Sequence, residues 1–296
     1  MSDRTAVSSV PVQHENHSLV KAAGVIGIAT FSSRVLGFIR DMVLARLFGA
    51  TLAAGAFYVA FRIPSLLGEL FAEGSMSAAF IPVFTEYHTR KSKQEAWELA
   101  SAVFTTLLTV VTLVTIVGII AAPWLVQLLA PGFHSSPEKL EMTTVLARVM
   151  FPYLLFISLA SVAMGMLNSL RAFAVPAYAA LFLNIFIIGC AVFLSPHLEE
   201  PIVGVAIGVV AGGIAQFLMQ LPSLKVRGLL FGFRFEPGHP GVKRIGQLMV
   251  PSLLGMSVTQ VNLTVSTILA SFIAGAPTYL FYGMRLVQFP LGIFGV

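Results

Sequence analysis

Charge is scarce in this chain of 296 residues: 10% of positions are charged and 57% are apolar, where a soluble domain carries roughly 25% charged residues. Water is therefore not the main solvent of the fold. Cysteine is nearly absent too. Cys190 stands alone in an apolar run, which excludes an internal disulfide framework and a thiolate metal site within one chain. No glycine-rich phosphate loop followed by Lys-Ser/Thr occurs, and no HExxH pair; His14 and His17 lie on a polar tail, and the other histidines stand singly. These gaps argue against ATP-driven work and zinc hydrolysis. No cofactor is expected, and coupling to the membrane potential or to a monovalent cation is left as the driving force. The first 18 residues are polar and of mixed charge, with no basic segment leading into a short apolar core, so a cleaved signal peptide is not expected. The formal charge of +5 would suggest nucleic acid for a soluble protein. Here it must first be sorted by membrane side, and no nucleic-acid partner is expected.

What is present is a series of apolar runs. A spanning helix needs about 20 mostly apolar residues, and eight segments qualify, near 22–48, 53–84, 99–130, 146–168, 173–195, 201–222, 245–274 and 277–296. The expected fold is thus an all-α polytopic membrane protein. The uncharged run from Ile245 to Met284 is too long for one helix, and Gly275-Ala276-Pro277 supplies a turn that divides it. Basic residues gather in alternate connections: His88, Arg90, Lys91 and Lys93 after the second run, Arg171 after the fourth, and Lys225, Arg227, Arg234, Lys243 and Arg244 after the sixth. By the positive-inside rule these face the cytoplasm, and so does the N-terminus. The organisation expected is a polar cytoplasmic tail over 1–21, a lobe of six helices over 22–222, a basic linker over 223–244, and two helices over 245–296. The sixth run carries Gly204, Gly208 and Gly212, a spacing that lets a neighbouring backbone come close. The linker, with Phe231, Phe233 and Phe235 around Arg234, is expected to rest on anionic headgroups at the interface. Because the chain stops inside an apolar run, it is expected to be truncated.

Several charges sit where lipid should be. They are Arg34, Arg40, Asp41 and Arg46 in the first run, Arg62, Glu69 and Glu73 in the second, and Arg285 in the eighth. Each would cost about 2.5–3.5 kcal/mol if it faced lipid at the midplane, so the first two runs together would cost on the order of 20 kcal/mol. They must face water or one another. Residues seven apart return to nearly the same side of a helix, which aligns Arg34 with Asp41 and Arg62 with Glu69. At 1.5 Å per residue, Arg34 and Arg62 both lie roughly 17–18 Å from the cytoplasmic end. Two guanidiniums at one depth suit a phosphate or pyrophosphate, which they bind through paired hydrogen bonds. The plainer alternative is that these residues are ion pairs holding helices together, with Arg40 and Arg46 reaching for the outer interface. Glu69 and Glu73, one turn apart, suit either a proton-accepting role in a transport cycle or a place at the cytoplasmic interface.

The strings SSRVLGFIRDMVLARLFGA at 32–50, AFYVAFRIPSLLGELFAEGSMSAAFIPVFTEY at 56–87 and FYGMRLVQFPLGIFGV at 281–296 resemble the MurJ (MviN) lipid II flippases, within the multidrug/oligosaccharidyl-lipid/polysaccharide exporter superfamily. Similarity extends through APWLVQLLAPGF at 122–133 and LRAFAVPAYAALFLNI at 170–185. The resemblance implies two pseudo-symmetric six-helix lobes, of which this chain would be the first plus the opening hairpin of the second. FYVAFRI at 57–63 and LFYGMRL at 280–286 form an internal echo that superposes Arg62 on Arg285. The resemblance also implies a bacterial inner-membrane transporter, not an enzyme, whose cationic central cavity holds the pyrophosphate of lipid II, an undecaprenyl-linked disaccharide-pentapeptide. The bilayer is the other implied partner, and cell-wall synthesis proteins are further candidates. The matching cavity positions are Arg34, Arg40, Asp41 and Arg285. Gly55 stands where the family often has an acidic residue and Gly68-Glu69 where it often has a basic pair, so Arg62 is expected to compensate. Two rival readings remain at this point: a drug or small-molecule antiporter of the same architecture, which calls for an aromatic and acidic cavity, and a non-transporting scaffold for cell-wall synthesis.

Overall fold

The computed structural model describes residues 12–70, 75–229 and 231–294. Its helices are α1 (Val12–Phe48), α2 (Leu52–Gly68), α3 (Ser75–Arg90), α4 (Lys93–Leu129), α5 (Pro137–Met150), α6 (Pro152–Ser169), α7 (Ala174–Gly189), α8 (Pro201–Leu218), α9 (Leu221–Val226), α10 (Pro240–Ser271) and α11 (Ala276–Phe294). No strand occurs among the described residues. Five helical stretches are long and apolar enough to cross a membrane: Lys93–Leu129, Pro137–Ser169, Ala174–His197, Pro201–Val226 and Pro240–Ser271. The other three expected runs fall on α1, on α2 with α3, and on α11.

Local chemistry sets the boundaries. Gly49, at φ 56, turns the chain after α1, and the Thr51 hydroxyl caps α2 by accepting from the Ala54 N–H at 3.4 Å. Proline opens α5, α6, α8 and α10, at the position where a missing N–H costs nothing. Gly275, at φ 73, makes the turn between α10 and α11.

The helices depart from the expected boundaries in three places. The second run is described in two pieces, α2 ending at Gly68 and α3 starting at Ser75, with residues 71–74 outside the described ones. The fourth run extends back to Pro137 and is split at Pro152. The tail and linker are partly helical: α1 already begins at Val12, and α9 and α10 leave only residues 227–239 of the linker as irregular chain.

Two large apolar clusters form most of the described interior, with a small third at Val59, Ala130 and Phe133. One joins α2, α5 and α8 around Ala56, Ala60, Leu146, Phe151 and Val205. The other joins α3, α4 and α6 around Phe80, Phe84, Leu99, Leu154 and Leu167. Small residues allow close approach: a Cβ on Gly208 would lie 2.9 Å from the Phe186 carbonyl, and one on Gly212 would lie 2.8 Å from the Leu183 Cα, so the α8 glycines are where α7 packs. Large apolar side chains point outward on α4 (Leu113, Ile120, Trp124, Leu128), on the turn after α7 (Phe193) and on α10 (Leu254, Val258, Leu269). A continuous exposed apolar surface of this kind suits lipid and not water; this is a multi-pass membrane protein.

The basic linker lies against the start of α4. The Gly232 N–H donates to Ser101 Oγ at 3.1 Å and the Arg234 N–H to Thr105 Oγ1 at 3.1 Å, while Phe231 stacks on Phe104 at 4.0 Å. Phe233 and Phe235 are exposed. Arg244 on α10 pairs with Glu86 on α3 at 2.8 Å. This basic end of the molecule is therefore built from 86–98 and 225–244. At the opposite end the 131–135 turn meets the C-terminus of α10, where the Gly132 N–H donates to Ser271 Oγ at 3.0 Å. α10 thus touches the first bundle near both of its ends.

Candidate functional site

Along α1, the positions Ser33, Arg34, Gly37, Phe38, Arg40 and Asp41 line one cavity of about 260 Å³. Their spacing is that of a single helical face. The remaining walls come from α6, α7, α8 and α11, and Phe289 of α11 stacks on Phe38 at 4.4 Å. Gly37 keeps that face low enough for Asn184 of α7 to reach it; a Cβ there would be 3.8 Å from the amide.

Asp41 organises the charges. Its Oδ1 accepts from Arg40 Nη2 at 2.7 Å and from Arg40 Nε at 2.9 Å, while Arg285 Nε lies 3.4 Å from Oδ2. One carboxylate therefore links an arginine of its own helix to one on α11. Arg40 Nη1 donates to Asn184 Oδ1 at 2.9 Å, so both of its edges are used, and only 9% of its side chain is exposed. Arg285 is far more open, at 42%. Arg34 is half-buried, and its Nε has no hydrogen-bond partner within the protein. Three guanidiniums against one carboxylate leave this cavity a formal excess of two positive charges. Such a surface suits a multiply charged anion, because guanidinium forks match phosphate oxygens and remain charged at any physiological pH.

Arg62 is placed differently from the sequence expectation. It lines a second hollow of about 350 Å³ between α2, α10 and α11, which has Arg285 and Gln288 in common with the cavity that Arg34 lines. Its Nη1 lies 3.9 Å from Glu69 Oε1, and its Nη2 donates to Gln260 Oε1 at 2.9 Å. The Gln260 amide in turn donates to Glu69 Oε2. Arg62 is thus partnered by the carboxylate one heptad on. Helical spacing aligned the two but does not give the direction in which α2 faces. Glu73 lies outside the described residues. Arg46 is exposed on the outside of α1, away from both hollows. Gly55 faces Lys139, whose ammonium lies over the Phe133 ring at 3.8 Å.

The amides Asn184, Gln216, Gln260 and Gln288 escaped the sequence reading. All four line the hollows, yet an uncharged amide in an apolar helix adds too little to hydropathy to stand out. The available signal was cost, since a buried amide needs partners much as a charge does.

The family model for lipid II flippase MurJ matches residues 44–296. The chain belongs to the MurJ family. Among MurJ relatives it is 42% identical to the probable lipid II flippase MurJ of Vibrio cholerae over 288 residues, covering 94% of this chain and 54% of that protein. It is 39% identical to the lipid II flippase MurJ of Burkholderia cenocepacia over 284 residues, covering 94% and 55%. The chain therefore spans about half the length of the curated MurJ proteins it matches. Among solved structures, a lipid II flippase MurJ in an inward closed conformation superposes with a TM-score of 0.77 at 29% identity, over 92% of this chain and 56% of that one. A transporter of the multidrug/oligosaccharidyl-lipid/polysaccharide superfamily from Pyrococcus furiosus superposes at 0.64 with 17% identity, over 92% and 61%, which shows a shared fold. The arginine–carboxylate–arginine bridge of Arg40, Asp41 and Arg285 ties α1 to α11.

Proposed function

We propose that this chain forms the headgroup-holding part of a lipid II flippase, carrying an undecaprenyl-pyrophosphate-linked precursor from the cytoplasmic to the periplasmic leaflet of a bacterial inner membrane by alternating access. The observation that carries the reading is the cavity in which Arg34, Arg40 and Arg285 gather around the single carboxylate of Asp41. The guanidiniums replace water around the diphosphate, the polyprenyl tail stays in lipid, and the two bundles rock to reverse access. Eight spanning segments with a cytoplasmic N-terminus are consistent with the loop charges, since the basic end then faces the cytoplasm. Net positive charge in the cavity favours the return step after release under an inward-negative potential, by about 2.3 kcal/mol per charge per 100 mV.

The test is charge reversal at natural protein length. Arg34→Glu and Arg285→Glu should each abolish complementation of a strain depleted of its flippase while membrane abundance stays normal. Growth supported by either variant would favour a scaffold that recruits cell-wall synthesis proteins. Collapse of the membrane potential should slow translocation; an unchanged rate would remove the potential as driving force and leave a cation gradient.

A further inference from the structure

The second hollow is a site that the diphosphate chemistry leaves without a role. It lies beside the arginine cavity and shares Arg285 and Gln288 with it. Its volume of about 350 Å³ falls within the range of small-molecule sites, roughly 300–1,000 Å³. The chemistry of its wall is distinct. Arg62 is already matched by Glu69 at 3.9 Å, and Gln260 fills the gap between them, its oxygen toward the guanidinium and its amide N–H toward the carboxylate. Only that orientation of the amide satisfies both neighbours. An anion entering here meets a carboxylate beside every cation on α2. A neutral ligand finds donors and acceptors instead: the half-open Glu69 carboxylate and the exposed Thr259 hydroxyl. Leu263 and Phe281 supply the apolar side. Few convergent polar groups on an apolar wall are what fixes the orientation of an uncharged polar molecule.

We infer that this hollow receives the uncharged, hydroxyl- and amide-bearing part of the headgroup, while the diphosphate to which it is attached rests on Arg285 and the arginines of α1. The inference builds on the proposed flippase role. The shared Arg285 and Gln288 are the junction: a diphosphate seated on Arg285 lies at the border of the two hollows. Recognition is then divided, with charge read on α1 and the sugar-like portion read between α2 and α10.

Two probes separate the two halves: lipid II, and undecaprenyl pyrophosphate, which has the diphosphate and no sugar. Binding is measured on the protein at natural length in nanodiscs. Gln260→Leu should weaken lipid II binding at least tenfold and leave undecaprenyl pyrophosphate within twofold of the unaltered protein. Thr259→Val, on an exposed position that a fold tolerates, should give the same selective loss at threefold or more, and decides the matter if Gln260→Leu does not fold. Equal losses for both probes, or no loss for either, would overturn the inference. If the unaltered protein binds neither probe, or if Arg34→Gln leaves both unchanged, the flippase reading itself fails, and that outcome is distinct from a failure confined to the second hollow.

Discussion

Asp41 is the negative charge against which a bound diphosphate has to compete, so Asp41→Asn should tighten binding of a diphosphate lipid while impairing its movement. The carboxylate lies 3.4 Å from Arg285 Nε. A phosphate oxygen accepting from the far side of that guanidinium, through a hydrogen bond of about 2.8 Å, would sit roughly 6 Å from Asp41. At an effective dielectric constant of about 20–40, two unit charges at that separation repel by roughly 1.4–2.8 kcal/mol. Asparagine keeps the shape and an acceptor for Arg40 but loses the charge, and Asn184 still holds Arg40 Nη1 at 2.9 Å. The variant is therefore expected to bind undecaprenyl pyrophosphate about 10- to 100-fold more tightly. Turnover should fall, because tighter ground-state binding lowers nothing along the transport step and release no longer has a carboxylate ready to reclaim the arginines. Equilibrium binding in nanodiscs and complementation in cells read the two effects separately. Unchanged or weaker binding would refute the reasoning, since Asp41 would then be positioning the guanidiniums and not competing for them.

Asn184→Leu removes the acceptor for Arg40 and the donor to the Ser33 carbonyl from a buried site, which should cost about 1.5–3 kcal/mol of stability and weaken diphosphate binding, read by thermal denaturation and by the same binding assay. Gly208→Ile drives a side chain into the α7 backbone and should lower stability by about 1–3 kcal/mol, whereas Gly189→Ala, at a position with no atom within 4 Å of the added Cβ, should leave the melting temperature unchanged or raise it. Gly132→Val pushes the 131–135 turn off the Ser271 backbone and breaks the hydrogen bond to Ser271 Oγ; spin labels across this end should report a wider separation and complementation should fail at normal abundance. Arg62→Ala should unpair Glu69 and Gln260 and reduce lipid II binding more than binding of undecaprenyl pyrophosphate; full complementation by this variant would remove Arg62 from the substrate path.

The architecture was readable because lipid imposes long apolar runs, and because a charge within such a run is expensive enough to require a reason. That cost singled out Arg40, Asp41 and Arg285, which the fold brings together. Helical spacing placed Arg34 and Asp41 on one face, and both line one cavity. The same rule aligned Arg62 with Glu69, which form a pair. Spacing says nothing about how two helices are rotated against each other, and Arg34 and Arg62 line adjoining hollows that have Arg285 and Gln288 in common. It also says nothing about partners 198 positions away, such as Gln260 for Arg62.

Three polar contacts of α10 with the first bundle differ in kind, and they add to the apolar packing of Val242, Ile245 and Met249 on the cluster built by α3, α4 and α6. At the basic end Arg244 and Glu86 are 53% and 37% exposed, and a pair of that sort contributes about 0–1 kcal/mol. At the opposite end a single neutral hydrogen bond joins Gly132 to Ser271, worth about 0.5–1.5 kcal/mol net. In the middle, Gln260 completes the Arg62–Glu69 pair and is itself only 7% exposed. The polar contacts at both ends are weak, so at the basic end the burial of Ile245, with Val242 and Met249 beside it, carries most of the attachment. The contact of Gln260 with Arg62 and Glu69 is the most deeply buried of the three and lies at the second hollow, so a ligand engaging those residues would act on the junction between α2 and α10.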